Sequence, residues 1–247
     1  MRRAYADVGE LGWSLYLSAH LRYLGGGMVL TNRYALFPGC NVVPVPACFD
    51  KYKDIQADMF GRCGVKNEEI EKCFWDDGWE VRLPGDTWNN VYRGEMTFEP
   101  YEVKSELGTG ATVVFPRCRP APHNNRNLSE RFYSELVGAL GGNVVCCGAE
   151  GEAYHIKGGV DLVGLTDIQD LIDICSNAKV VIGSQSAPPK IALLQGTRTF
   201  MVGHEKARHT VTENWAGTEV GFYEIAKSKY TTLDSDDCIE KILEFAK

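Results

Sequence analysis

The residues Gly183-Ser184-Gln185-Ser186-Ala187 stand between the apolar run Val180-Val181-Ile182 and a segment that opens with Pro188-Pro189. Read as a sharp turn from a buried strand into a helix, they put small and hydroxyl residues where unpaired backbone N–H groups and the positive end of the helix dipole meet an anion. The chemistry this suits is a grip on phosphate, with Lys190 one turn further on as a counter-charge. The same residues also suit an ordinary turn whose serines only cap the helix. A second candidate is the loop that carries Arg117, Arg119 and Arg126, because the planar guanidinium fits phosphate oxygens; a solvated basic loop is the plainer alternative. A third is Gly9-Glu10-Leu11-Gly12, a carboxylate in a glycine-flanked turn at a helix start. Such a residue is placed to act as a general base, or simply to face the helix dipole. Weaker candidates are Gly203-His204-Glu205-Lys206, where a nucleotide base or ribose would lie, with His209 nearby. The aromatic residues Trp75, Trp79, Trp88 and Trp215 read as core or surface fillers.

The elements that must position these residues follow from the hydrophobic pattern. In the C-terminal half, Ala111–Pro116, Asn143–Gly148, Lys179–Gly183 and Arg198–Val202 read as short buried strands. Between them, Asn127 or Ser129 caps a helix that runs to about Leu140 and stops at Gly141-Gly142. Thr166 is expected to cap a helix over Asp167–Asn177, with Gln169 completing the capping box. Pro188 and Pro189 suit the first turn of the next helix, Gly196 ends it, and Asp234–Lys247 reads as a closing amphipathic helix. Strands alternating with helices of this length imply a parallel sheet with right-handed crossovers, in which ligands bind at the carboxyl ends of the strands. The N-terminal half is less regular. A helix from about Leu11 to Tyr23, amphipathic with a stripe of Trp13, Leu17, Leu21 and Leu24, stops at Gly25-Gly26-Gly27. Met28–Thr31, Val42–Val45 and Trp79–Leu83 read as strands, Asn67–Phe74 as a helix, and a first strand must fit within Arg2–Val8. Glu95–Gly110 is polar and irregular, and a domain boundary is expected near Ser105–Gly110.

Composition bounds the function. The 247 residues suffice for one large or two small domains, with 44% hydrophobic and 24% charged residues, as in ordinary globular proteins. A net charge of −7 speaks against a nucleic-acid partner. Nine cysteines form no Cys-x-x-Cys pair, and several lie in apolar runs such as Val144-Val145-Cys146-Cys147. They read as reduced, buried thiols of a cytoplasmic protein, and Cys40, Cys48, Cys63 and Cys73 do not have the spacing of a zinc site. Neither a signal peptide nor a transmembrane run is expected.

The three constellations occur in an order that resembles the heptosyltransferase-like glycosyltransferases. The resemblance is carried by Asp161-Leu162, Gly164, Thr166, Leu171-Ile172, Ala178, Val180-Val181 and Gly183, and continues through Ser186, Ile191-Ala192, Gly196-Thr197 and Gly203. In the N-terminal half it rests on Val8–Leu24. It implies an α/β protein of GT-B type, two Rossmann-like domains facing a cleft. The shortened N-terminal domain, residues 1–108, would take the acceptor, and residues 109–247, with the closing helix, the donor. The implied activity is metal-independent transfer of a sugar from a nucleotide-sugar to a hydroxyl acceptor, a glycan, a lipid-linked saccharide or another, with no cofactor besides the nucleotide-sugar substrate. It implies no nucleic-acid partner and is compatible with peripheral membrane contact. Residue by residue, Glu10 between Gly9 and Gly12 resembles the general base, replacing the family's Asp. Arg126 and Arg117 resemble donor-phosphate contacts, and Ser184, Gln185, Ser186, Ala187, Lys190 and Glu205 the donor site, with His204 beside it. Three positions depart from the family: Gln185 stands for an Asp that helps to hold the donor sugar, Ala187 for a Gly, and Lys190 for a His. Two other readings compete, a nucleotide-sugar epimerase on the same fold and a catalytically silent nucleotide-binding module. Sugar transfer to nucleic-acid bases is opposed by the acidic balance.

Overall fold

A computed structural model describes residues 1–52, 66–83, 93–120, 124–204, 219–226, 229–230, 233 and 235–247. His123, Cys63, Trp88, Glu205, Lys206, His209 and Trp215 lie outside the described residues. The chain divides into two compact units, Met1–Glu99 and Pro100–Lys247.

The first unit is built on strands β1 (Arg2–Ala6), β2 (Met28–Leu30), β3 (Asn41–Val43) and β4 (Trp79–Arg82), with helices α1 (Leu11–Tyr23) and α2 (Asn67–Asp76). The strands are parallel in the order β3-β2-β1-β4. Ala4 and Ala6 alternate inward along β1 and pack in a core with Leu30, Phe49, Ile70, Phe74 and Trp79. Phe49 stacks on Phe74, with ring centroids 5.8 Å apart. The helix expected over Leu11–Tyr23 is found, and its middle is covered on every side. Every residue from Ser14 to Leu21 is buried, while Leu24 of the expected stripe is exposed. The covering is polar as well as apolar. The irregular segment after residue 94 lies along α1, where Thr97 N–H donates to Ala19 O (2.9 Å) and Glu95 O meets His20 Nδ1 (3.0 Å). The helix ends as expected at the glycines, whose N–H groups donate to the last carbonyls, Gly25 to Arg22 O and Gly26 to Leu21 O.

The second unit holds β5 (Thr112–Phe115), α3 (Glu130–Leu140), β6 (Val144–Cys146), β7 (Val160–Asp161), α4 (Ile168–Asn177), β8 (Val180–Ser184), α5 (Ala187–Leu194), β9 (Thr199–Gly203), β10 (Val220–Glu224) and α6 (Ser235–Ala246). Its parallel sheet has the order β10-β9-β8-β5-β6-β7. Counted from β5, this is the doubly wound order of a Rossmann fold, with β6 and β7 to one side of β5 and β8, β9 and β10 to the other. The four strands expected here are all present. The edge strands β7 and β10 carry no strong apolar pattern, because their residues are exposed or half-buried. Two helix caps separate what the pattern resolved from what it did not. Ser129 caps α3, its side chain accepting Phe132 N–H. For α4, Asp167 rather than Thr166 is the cap. Its carboxylate accepts Gln169 N–H (2.7 Å) and Asp170 N–H (2.9 Å), and Asp170 completes the box. A charged acceptor one residue later outcompetes the hydroxyl at the positive end of the helix. Thr166 instead meets Cys147 Sγ at 3.4 Å, and Gln169 turns to Asp173 and Glu102 O.

The division between the units falls after Glu99, ahead of the expected boundary between residues 108 and 109. The intervening residues belong to the second unit through side chains of its helices. Gln195 holds both backbone groups of Tyr101, and Asp173 accepts Lys104 N–H (3.0 Å) and Ser105 Oγ–H (2.7 Å). Burial raises the Asp173 pKa, but these bonds and one from Gln169 outweigh it and hold the carboxyl below the ordinary carboxylate range. A depressed folded pKa adds stability above the unfolded value, about 3.9, and loses it as the pH falls through the folded value. Asp173→Asn is therefore expected to lower the melting temperature at pH 7 by several degrees, and the difference from wild type to close on acidification below about pH 4. Thermal unfolding followed across that range checks this; a difference that persists at low pH contradicts it.

Candidate active site at the carboxyl edges of the sheets

In the first unit, β1 ends at Ala6 and α1 begins at Leu11, so Gly9 and Glu10 lie in the turn at the carboxyl end of an inner strand. Glu10 is the N-cap of α1, extended at φ −60° and ψ 151°, and its side chain makes no cap hydrogen bond. Its carbonyl starts the helix by accepting Trp13 N–H (2.9 Å) and Ser14 N–H (3.3 Å). Gly12 sits in the first turn, and a Cβ there would meet nothing within 4 Å. Beneath the turn lie residues that sequence reasoning missed. Asp7, with no exposed side-chain surface, is bonded by Ser14, Thr31 and Arg33. Burial raises its pKa, against the pull of Arg33 and the two hydroxyls. The available signal was the serines: Ser14 and Ser18 lie one turn apart on a buried helix face where an apolar residue is the norm.

In the second unit the winding reverses between β5 and β8, so the loops that follow these strands leave the sheet in opposite directions and open a crevice there. On one side, Arg117 follows β5 and is buried, its backbone paired with Ala153 of the loop after β6. Asn127 brackets Arg119 by accepting its N–H (3.2 Å) and donating to its carbonyl (2.7 Å). That clamp holds the short helical turn Asn124–Arg126, from which Arg126 Nη1 reaches across to donate to Gln185 O at 2.9 Å. On the other side, β8 runs into the Ser184–Ala187 turn, and Ser186 is the N-cap of α5. Its hydroxyl donates to Ser184 O (3.1 Å) instead of capping the helix. Prolines occupy the second and third positions of α5 and lack N–H groups, so of the first three helical residues only Ala187 carries a donor. The amide cradle is thinner than the turn alone suggested, and Arg126 stands beside it.

The side chains of Ser184 and Gln185, both expected at the donor site, are buried. Ser184 is fully buried against Tyr133 and does not face the crevice. Gln185 is 3% exposed, and its amide oxygen is engaged inside the protein, accepting His204 N–H (3.3 Å) and Tyr230 O–H (3.2 Å). His204, after β9, also packs edge-on against Tyr230, its Nδ1 3.2 Å from the phenol oxygen. Tyr230 went unnoticed because the sequence around it shows no period. Burial raises its pKa, and the charges of Arg126 and Arg117 oppose the rise, so both guanidinium groups act on this corner. Lys190 is half-buried one turn into α5.

These features were compared with known proteins. No family model and no curated protein matches the sequence. Solved structures do match over nearly the whole chain. A glycosyl transferase family 9 protein from Veillonella parvula aligns at TM-score 0.61 and 11% identity, covering 99% of this chain and 97% of that one. E. coli heptosyltransferase WaaC, solved with ADP-2-deoxy-2-fluoro heptose, aligns at 0.58 and 12%, covering 99% of each. E. coli ADP-heptose lps heptosyltransferase II aligns at 0.56 and 12%, covering 100% of this chain and 98% of that one. The chain has the fold of the heptosyltransferases. The α/β architecture expected from the sequence resemblance is the one found, in both units. Arg126 and Ser186 lie at the carboxyl edge of the second sheet, where the strand order reverses. A separate groove of about 890 Å³ lies at the opposite, amino edge, lined by Gly110, Thr112, Asn143 and Lys179 with acidic residues of α3 and α6. None of the expected site residues lines it, and the strand-order rule favours the carboxyl edge.

The packing of Gln185 makes a specific demand on Gly203. A Cβ there would stand 2.5 Å from Gln185 Cγ and Cδ. Gly203→Ala is expected to displace the buried amide and destabilise the chain by about 1–3 kcal/mol. Gln185→Ser in the same chain should recover part of that loss, because the colliding atoms are gone. Denaturant unfolding of the single and double variants measures it; equal stability of Gly203→Ala and wild type refutes the packing account.

Proposed function

We propose that this protein is a glycosyltransferase that moves a sugar from a nucleoside-diphosphate sugar to a hydroxyl acceptor without needing a metal ion. The observation that carries the reading is the Arg126 guanidinium, bonded to Gln185 O beside the start of α5 at the point where the sheet reverses its winding. A guanidinium fork, one helix amide and the helix dipole suit the oxygens of a diphosphate. The neighbour solved with ADP-2-deoxy-2-fluoro heptose supports the donor class. The free thiols of the described cysteines, with Cys146 pushed up to about 12 by burial, fit a reducing compartment such as the cytoplasm.

In this mechanism the bond from the anomeric carbon to the diphosphate breaks through an oxocarbenium-like transition state. Negative charge grows on the departing diphosphate, where Arg126 and Ala187 N–H meet it. Glu10 takes the proton of the acceptor hydroxyl as its oxygen attacks. With two first-turn amides removed by proline, more of the stabilisation falls to Arg126 than in a helix start with all its donors.

One observation favours a second reading, a nucleotide-binding module without turnover: Gln185, where the family carries an acidic residue, is buried and bonded internally. Incubating the chain with nucleotide-sugars and hydroxyl acceptors separates the two, since the module binds and releases no sugar. Arg126→Ala is expected to weaken nucleoside-diphosphate binding by about tenfold to a hundredfold in titration calorimetry, the worth of one charge-assisted bond. Unchanged affinity removes Arg126 from the site. Glu10→Gln should lower turnover about 10²–10⁴-fold and leave that affinity intact. Equal activity removes Glu10 from the mechanism.

A further inference from the structure

The turn that carries Glu10 is held from outside its own helix. Arg33 follows β2, the parallel neighbour of β1, and its Nη1 donates to Gly9 O at 2.9 Å, the carbonyl of the peptide that leads into Glu10. The same nitrogen donates to Ser14 Oγ at 2.6 Å, in the first turn of α1. Ser14 Oγ–H in turn donates to Asp7 Oδ1 at 2.7 Å, and Thr31 Oγ–H donates to Asp7 Oδ2 at 2.8 Å. Asp7 Oδ1 lies 3.4 Å from the guanidinium. Thr31 also accepts Arg33 N–H at 2.8 Å, so both ends of the arginine are fixed. The network thus joins the carboxyl end of β1, the carboxyl end of β2 and the first turn of α1 around the Gly9–Glu10 peptide.

Asp7 is withdrawn from water and Arg33 is half-buried, and an ion pair with a buried member is a poor way to add stability, since apolar side chains of the same volume serve as well or better. Its advantage is directional: a guanidinium has donors in a fixed plane and accepts only a few placements of its partners. Here one of those donors ends on Gly9 O, the carbonyl of the peptide bond that joins Gly9 to Glu10, the one residue of this unit assigned a chemical role. We infer that Arg33, oriented by buried Asp7, is a positioning residue that fixes the peptide turn presenting Glu10 to the acceptor hydroxyl. This rests on the reading of Glu10 as general base. Arg33 holds the turn, and Glu10 alone moves the proton.

Two variants separate positioning from mere stabilisation. Arg33→Met leaves the buried carboxylate without its cation and is expected to melt earlier. Asp7→Asn/Arg33→Met removes both charges, keeps a side chain that Ser14 and Thr31 can bond, and should recover most of the melting temperature. Without the guanidinium on Gly9 O, the double variant should still transfer sugar with kcat lower by about tenfold to a hundredfold and an unchanged KM for the donor. Its Trp13 and Ser14 amides, which donate to Glu10 O, should exchange with deuterium about tenfold faster. Amides of the β1–β4 ladder should keep their protection. Arg33→Lys, which restores a cation but not the planar fork, should recover kcat only in part. A double variant that regains stability together with wild-type kcat, or with wild-type exchange at Trp13 and Ser14, overturns the inference. Failure of the underlying reading looks different: a wild-type chain that transfers no sugar, or a fully active Glu10→Gln, removes the base itself and the inference with it.

Discussion

β5 and β8 run side by side, Thr112 through Phe115 against Val180 through Gly183, although the chain makes β6 and β7 between them. Parallel strands reach such a pairing only through crossovers, and the crossovers on the two sides of this pair wind outward in opposite directions. The edge therefore opens beside Phe115 and Gly183. The approach is close there: a Cβ on Gly183 would stand 3.1 Å from Pro189 Cγ and 3.4 Å from Phe115 Cβ, so glycine allows α5 to start hard against the sheet. Arg126, the Ser186 cap and the Gln185–His204–Tyr230 contacts all depend on that junction. None of them is adjacent to another in sequence except Gln185 and Ser186.

Both units solve the same problem at their carboxyl edges, which is to hold polar groups in place next to a buried sheet. In the second unit Gln185 does so as an uncharged link. Its N–H reaches Val202 O, its carbonyl accepts Arg126, and its amide oxygen accepts His204 N–H and Tyr230 O–H. In the first unit the task falls to an ion pair with two hydroxyls, Asp7 and Arg33 with Ser14 and Thr31. The contrast has an electrostatic consequence. Glutamine at position 185 makes its contacts without adding a charge to the residue whose carbonyl accepts the Arg126 guanidinium.

The parts of the site that could be read in advance share one property: their residue types are unusual for their place in a local pattern. Small and hydroxyl residues between an apolar run and a helix marked the Ser184–Ala187 turn, and a carboxylate between glycines marked Glu10. Tyr230 and Arg33 have no such local contrast, since a tyrosine in an aperiodic stretch and an arginine in a loop are unremarkable. The misplaced cap of α4 has a different origin. Thr166 and Asp167 are both acceptable caps, and only the energy of a carboxylate against the helix dipole, one residue further on, selects between them.

Hydrophobic periodicity, helix caps and the Pro–Gly punctuation are properties of neighbours along the chain, so the sequence by itself determined the alternation of strands and helices, the parallel sheet, and the strand-to-helix turn at Ser184–Ala187. Which way a side chain points in that turn is settled by atoms brought from far along the chain. Gly203 and Tyr230 draw Gln185 inward, Gln195 at the end of α5 claims Tyr101, and Arg33 reaches back to Gly9. Only the tertiary structure decided these, because a hydrogen bond acts over about 3 Å in space and is indifferent to separation in sequence.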